Sequence, residues 1–165
     1  MFCIYGTEMF GSKFKRLVIG ILAITASAFI ALWVKDLVDR SMPEYAVPKI
    51  SVTADEQRLD AKLYGYYWTF YMGEAVEVVA PIVSDIYDKD MPPISHLKGG
   101  EELKIDFSQT PEYKHVNRGE SYTYIFSPAE NETHVPYEPG SYIYEVLAGF
   151  ERGTVTYYFI INVEG

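Results

Sequence analysis

Two neighbouring segments near the C-terminus, SYIYEVLA (141–148) and TVTYYFIINV (154–163), decide the fold class. In the second, Val155, Tyr157, Phe159, Ile161 and Val163 alternate with Thr154, Thr156, Tyr158, Ile160 and Asn162. That period of two sends successive side chains to opposite faces of an extended strand. The first alternates in the same way, with Tyr142, Tyr144 and Val146 against Ile143, Glu145 and Leu147. The intervening GFERG (149–153) has turn composition, so the two segments are expected to form a hairpin whose apolar face packs on a second sheet.

Working back towards the N-terminus, shorter strands are expected at 49–53, 63–70, 75–79, 103–107 and 122–126. They are separated by turn signals at Gly73, Pro92-Pro93, Gly99-Gly100, Gly119, Pro128 and Pro139-Gly140. About seven short strands with no strong amphipathic helix among them predict a mainly β domain over 49–165, an antiparallel immunoglobulin-like β-sandwich. The richness in aromatic residues, 15 Tyr and 9 Phe, suits strands.

The N-terminal part is of another kind. LVIGILAITASAFIALWV (17–34) carries no charge, and its eighteen residues would span about 27 Å as a helix, close to a bilayer's hydrocarbon thickness. It is expected to be a transmembrane signal anchor. Lys13, Lys15 and Arg16 precede it, whereas Lys35, Asp36, Asp39 and Arg40 after it sum to zero, so the positive-inside bias puts residues 1–16 in the cytoplasm. Residues 35–48, with Pro43 and Pro48, read as a tether, and the β domain is placed outside the cytoplasmic membrane. Ala26-Ser27-Ala28 has the spacing of a signal-peptidase site, which gives a competing reading as a cleaved leader. Met9 is an alternative start to Met1.

Charge narrows the partners. Residues 41–165 hold nine Lys/Arg against twenty Asp/Glu, a surface that repels phosphate backbones, so nucleic acid is not expected. Cys3 is the single cysteine, which leaves the outer part without a disulfide or a thiolate metal site. No cofactor is expected.

The PGSYIYEV segment (139–146), followed by a turn and a long terminal strand, resembles the last hairpin of bacterial immunoglobulin-like domains. The resemblance implies a tyrosine tying the sheet corner through its hydroxyl. Together with the anchor, the Gly65-Tyr66-Tyr67-Trp68 segment and the Pro-Pro middle, the chain resembles uncharacterised extracytoplasmic proteins of Gram-positive bacilli. Those relatives often carry cysteines in and after the Gly-Tyr-x-Trp segment, and this chain has none there.

Candidate sites are few. YGYYWTFY (64–71) holds six aromatics, and alternation keeps them from all entering one core, so Tyr66, Tyr67 and Trp68 are candidates for an aromatic platform taking a sugar ring or a peptide. The bland reading makes Trp68 a buried inter-sheet tryptophan. Asp85, Asp88 and Asp90 offer carboxylates to a hard cation, though without EF-hand spacing, and a solvated acidic loop is the default. His96, His115 and His134 show no paired metal-ligand spacing. Ser121 and Ser141 lie outside any GxSxG turn, and Asn131-Glu132-Thr133 matches a glycosylation acceptor by chance. The expected function is a non-catalytic, membrane-tethered binding or scaffolding module of the cell envelope. Recognition of cell-wall glycan through 64–71, and inhibition of an envelope protease through a loop such as 88–100, are the alternatives.

Overall fold

The computed structural model describes residues 6–71, 73–82, 86, 91–120, 126–128 and 134–164. It opens with one long helix, α1 (Gly6–Ser41), followed by a single turn, α2 (Pro43–Ala46). The run 17–34 contains no proline, and its polar side chains are satisfied within the helix. Ser27 Oγ donates to the Ala23 carbonyl at 2.8 Å and Thr25 Oγ1 to that of Leu22 at 3.0 Å, as a helix in lipid requires. The apolar window is wholly unburied, and the helix is long and apolar enough to cross a membrane.

Residues 35–48, expected as a tether, continue α1 as far as Ser41 and then form α2. Lys35 pairs with Asp39 at 2.6 Å and Asp36 with Arg40 at 2.7 Å, both four residues apart, and these pairs support the last turns of α1. Pro43 sits in the first turn of α2, where its missing N–H costs nothing. Val47 and Pro48 are already buried, so the globular part begins with them.

The β domain is two sheets around one core. The larger contains β3 (Lys62–Thr69), β4 (Ala75–Val78), β7 (Tyr113–Glu120), β8 (Phe126–Pro128), β9 (Gly140–Phe150) and β10 (Gly153–Val163), in the order β4-β3-β10-β9-β7-β8. β5 (Ile94–Leu97) lies parallel to the end of β10, on the edge that β3 occupies along its start. The smaller sheet is β2-β1-β6, from β1 (Ile50–Ala54), β2 (Gln57–Leu59) and β6 (Leu103–Phe107). All other pairings are antiparallel.

The expected hairpin is the centre of the molecule, with full register from Gly153↔Phe150 to Val163↔Gly140. Its turn is tighter than expected, because Gly149 and Phe150 belong to β9 and only Glu151 and Arg152 turn the chain. Gly153 follows at φ +147, and a Cβ there would strike the Tyr67 carbonyl oxygen, so glycine is required. One face of the hairpin meets the small sheet. Val52, Leu59, Leu103 and Ile105 share a cluster with Tyr144, Val146, Val155, Phe159 and Ile161. Phe107 sets its ring edge against Phe150 at 5.5 Å, Lys114 Nζ reaches the Ile105 carbonyl at 2.7 Å, and Tyr157 donates to the Pro48 carbonyl at 3.0 Å.

The opposite face is partly covered. Ile86 lies on Ile143, Tyr158 and Ile160, with Tyr64, Ala80 and Phe126 around it. This explains why β10 reads apolar on both faces at positions 157–161. Three strands had no alternating signal to announce them. β2 and β5 are three and four residues long, and β7, YKHVNRGE, is polar because much of it is exposed or half-exposed. Gly119, expected in a turn, is in β7 opposite Ile143. Of the strand expected at 122–126, only Phe126 is described, at the start of β8.

Phe159 stacks on its cross-strand partner Tyr144 with centroids 4.7 Å apart and planes 5° from parallel, both fully buried. Phe159→Ala is expected to destabilise the domain by about 3–5 kcal/mol, measured by urea unfolding in detergent micelles. The Tyr157 hydroxyl titrates late, pushed up to about 12 by burial. Its proton is held more tightly folded than unfolded, so stability is full below pH 10 and is lost as pH rises from 10 towards 12. Tyr157→Phe should lessen that loss in an alkaline unfolding series, the buried Tyr158 hydroxyl accounting for the remainder.

Candidate binding face

The uncovered half of the large sheet's outer face is where the domain presents accessible chemistry. Cross-strand register builds it row by row, since directly opposed residues project from the same face. One row is Glu77, Tyr67, Thr154, Gly149 and Tyr113, and the next places Thr156, Leu147 and His115 side by side. Tyr67 and Tyr113 are about half exposed, at 49% and 43%, and stand three strand spacings apart, about 14 Å.

Small residues shape this surface. At Gly149 a Cβ would overlap the Tyr113 ring, so the glycine lets that ring lie down on the sheet, beside His115 at 5.4 Å. At Gly65 a Cβ would meet the Ala80 nitrogen at 2.7 Å, which permits the chain leaving β4 to cross closely over the sheet. Pairing slips by one residue between Thr156 and Tyr157, a bulge next to Gly65 that leaves Tyr64 on the outer face against Tyr158.

A cleft of about 180 Å³ opens where that crossing segment leaves the sheet, bounded by Tyr67, Glu77, Val79, Ala80, Thr154 and Thr156. It offers hydroxyls, one carboxylate and the flank of a phenol ring. Such a set can hydrogen-bond and stack on a polar ligand.

The residues singled out from sequence separate here. Tyr67 is on the open face. Tyr66 is half-buried against the core, and burial raises the pKa of its hydroxyl. Trp68 is 1% exposed, packed edge-on to Phe150 at 6.2 Å, with the Arg152 guanidinium 5.5 Å from its ring centre. The three therefore do not form one platform, because neighbours in a strand face opposite ways. Tyr113, from a strand without a periodic signal, is the partner of Tyr67 that sequence reasoning missed.

Behind the covered half, Glu145 accepts from the Tyr158 hydroxyl and from Asn117 Nδ2, both at 2.7 Å. Burial, then the bond to Glu145, raises the pKa of the Tyr158 phenol, so its neutral hydroxyl continues to donate to the carboxylate into the alkaline range. This trio secures β7, β9 and β10 to one another.

Asp85, Asp88 and Asp90 lie outside the described residues, as do Ser121 and Asn131-Glu132-Thr133. Among the described residues no three His, Cys, Asp or Glu side chains gather as metal ligands. The histidines are apart, with His96 near Asn162 at 3.3 Å and the backbone of His134 in an isolated antiparallel β-bridge with Glu102. Tyr142, in the PGSYIYEV segment, donates to the Glu138 carbonyl at 3.0 Å, four residues upstream. No protein family, curated protein or solved structure matches this chain.

Removing the Tyr142 hydroxyl isolates that tie. Tyr142→Phe is expected to cost about 1 kcal/mol in chemical unfolding, the worth of one intramolecular hydrogen bond.

Proposed function

We propose that this protein is a membrane-tethered module of the cell envelope that acts by binding, with its β domain on the outer side of the cytoplasmic membrane. The observation that carries the reading is α1, whose apolar window has no burial partner among the described residues and which continues unbroken into contact with the domain. A stretch so apolar is far more stable in lipid than in water. The basic residues Lys13, Lys15 and Arg16 favour a cytoplasmic N-terminus. Cleavage after Ala28 would leave Phe29, Ile30, Leu32, Trp33 and Val34 exposed on the remaining helix, which supports an anchor retained rather than cleaved.

The domain is read as an immunoglobulin-like sandwich. Two packed sheets, a buried tryptophan in the core and the Tyr142 tie at the start of β9 support that reading. The fold leaves the ligand open, because such domains carry unrelated functions on their loops and faces. An envelope protein held at the membrane surface is the first reading of the partner. Crosslinking in whole cells, followed by recovery of the full chain, should return one specific envelope partner, and repeated recovery of none counts against it. Alkaline carbonate washing should leave the chain in the membrane pellet.

A second reading, cell-wall glycan, is favoured by the Tyr67–Tyr113 row with its threonine floor. Co-sedimentation with purified wall fragments tests it. Tyr67→Ala and Gly149→Ala, the latter lifting the exposed Tyr113 ring, should each weaken binding about ten-fold, the loss of one stacked ring, with little change in unfolding temperature. Unaltered binding in both variants would exclude this face.

A further inference from the structure

The last turns of α1 are divided lengthwise. At 100° per residue, Lys35, Asp36, Asp39 and Arg40 fall within one arc of about 140°, and Trp33, Val34, Leu37 and Val38 occupy the other side. The charged arc is turned to the domain. Asp36 is 3% exposed, Arg40 pairs with both Asp36 and Glu74, and Lys35 lies over the Tyr71 ring at 4.7 Å. Arg152 caps that same ring at 4.2 Å and donates to the Thr69 carbonyl at 2.7 and 2.9 Å. The four helix charges are thus paired among themselves or against the end of β3 and the β3–β4 turn. The other arc is open, with Leu37 and Val38 more than half exposed and Met42 and Tyr45 continuing the apolar surface.

We propose that this open arc is itself a membrane contact, so that the domain is seated on the bilayer surface rather than held above it. The inference rests on the anchor reading. Two observations choose lipid as the occupant. The arc is continuous with the apolar helix, with no break between residue 17 and Val38 on that side. The charge-free run alone gives about 27 Å, slightly short of a hydrocarbon core of about 30 Å, whereas extending the apolar arc to Val38 gives about 33 Å. The charged residues at 35–40 do not end the membrane-facing surface, because they lie on the arc turned to the domain, where Asp36 is buried, Asp39 and Arg40 are partly buried, and the half-exposed Lys35 is paired with Asp39. Tyr45, with the Lys49 ammonium 4.9 Å from its ring centre, then provides the aromatic and cationic pair suited to head-group depth.

The test uses the full chain carrying Cys3→Ser and one added cysteine, Val38→Cys, Tyr45→Cys or Tyr137→Cys, labelled with an environment-sensitive fluorophore and reconstituted into phosphatidylcholine vesicles. Tyr137, 79% exposed beside Gly99 and Gly100, is the water-facing reference. Labels at 38 and 45 should emit further to the blue and be quenched about three-fold more strongly by spin-labelled lipid than the label at 137. The proposal fails if protein that floats with the vesicles shows the same quenching at all three positions, and the anchor reading survives that result. It fails also if protection at 38 and 45 fades on dilution with lipid, since a second copy of the chain would then be the cover. A chain that does not float with vesicles overturns the anchor reading as well.

Discussion

The pairing of β9 with β10 is the interaction on which the rest of the structure depends. Eleven residues of each strand are in register about a two-residue turn, and the other strands of the large sheet pair with one of the two directly or, as β4 and β8 do, one strand removed. β10 has β9 along one edge and β3, then β5, along the other, and β9 carries β7. One face of the pair supplies the wall against which the small sheet buries its apolar side chains, and the other supplies the platform row and the Tyr158–Glu145–Asn117 hydrogen bonds. A shift of one residue would exchange these faces, moving Phe159 and Val155 to the outside and Thr154 and Thr156 inside. Full burial on one face and a mixed pattern on the other make that shift costly.

The same hairpin links the β domain to its helix. Its turn carries Arg152, which holds the β3 end through the Thr69 carbonyl and lies over the Tyr71 ring that Lys35 also contacts. Among the described residues, the helix meets the domain through cation–π and ionic contacts to Phe70, Tyr71 and Glu74. Exposed pairs of this kind contribute little individually, but Asp36 is buried and charge-paired, so removing Arg40 would leave a carboxylate without its cation in a dry position. Orientation of the domain relative to the helix depends on that group of contacts more than on any single one.

Most of the architecture was readable from residues whose two faces differ. The terminal hairpin, β1, β3, β4 and β6 were anticipated within a residue or two, because each alternates or is bounded by turn residues. β7 was not, because its outward face is polar and its inward face relies on Val116 and the stem of Lys114, which leave no period to detect. The helix beyond Val34 was missed for a related reason. Charges that look like an exit into water in a linear reading are turned onto Glu74 and Tyr71, partners more than thirty residues away. The aromatic cluster 64–71 was found, but which of its rings are exposed depends on the sheet they join, and the matching ring, Tyr113, lies in a strand without a signal of its own.

The central claim is that a lipid-spanning helix keeps this β domain attached yet outside the cell interior. Labelling of intact cells with a membrane-impermeant maleimide tests it most directly, comparing the natural Cys3 with a Cys3→Ser, Tyr137→Cys chain. The account predicts modification of the Tyr137→Cys chain in intact cells and of Cys3 only after permeabilisation. The opposite pattern, or recovery of the labelled chain free in the soluble fraction, would contradict it.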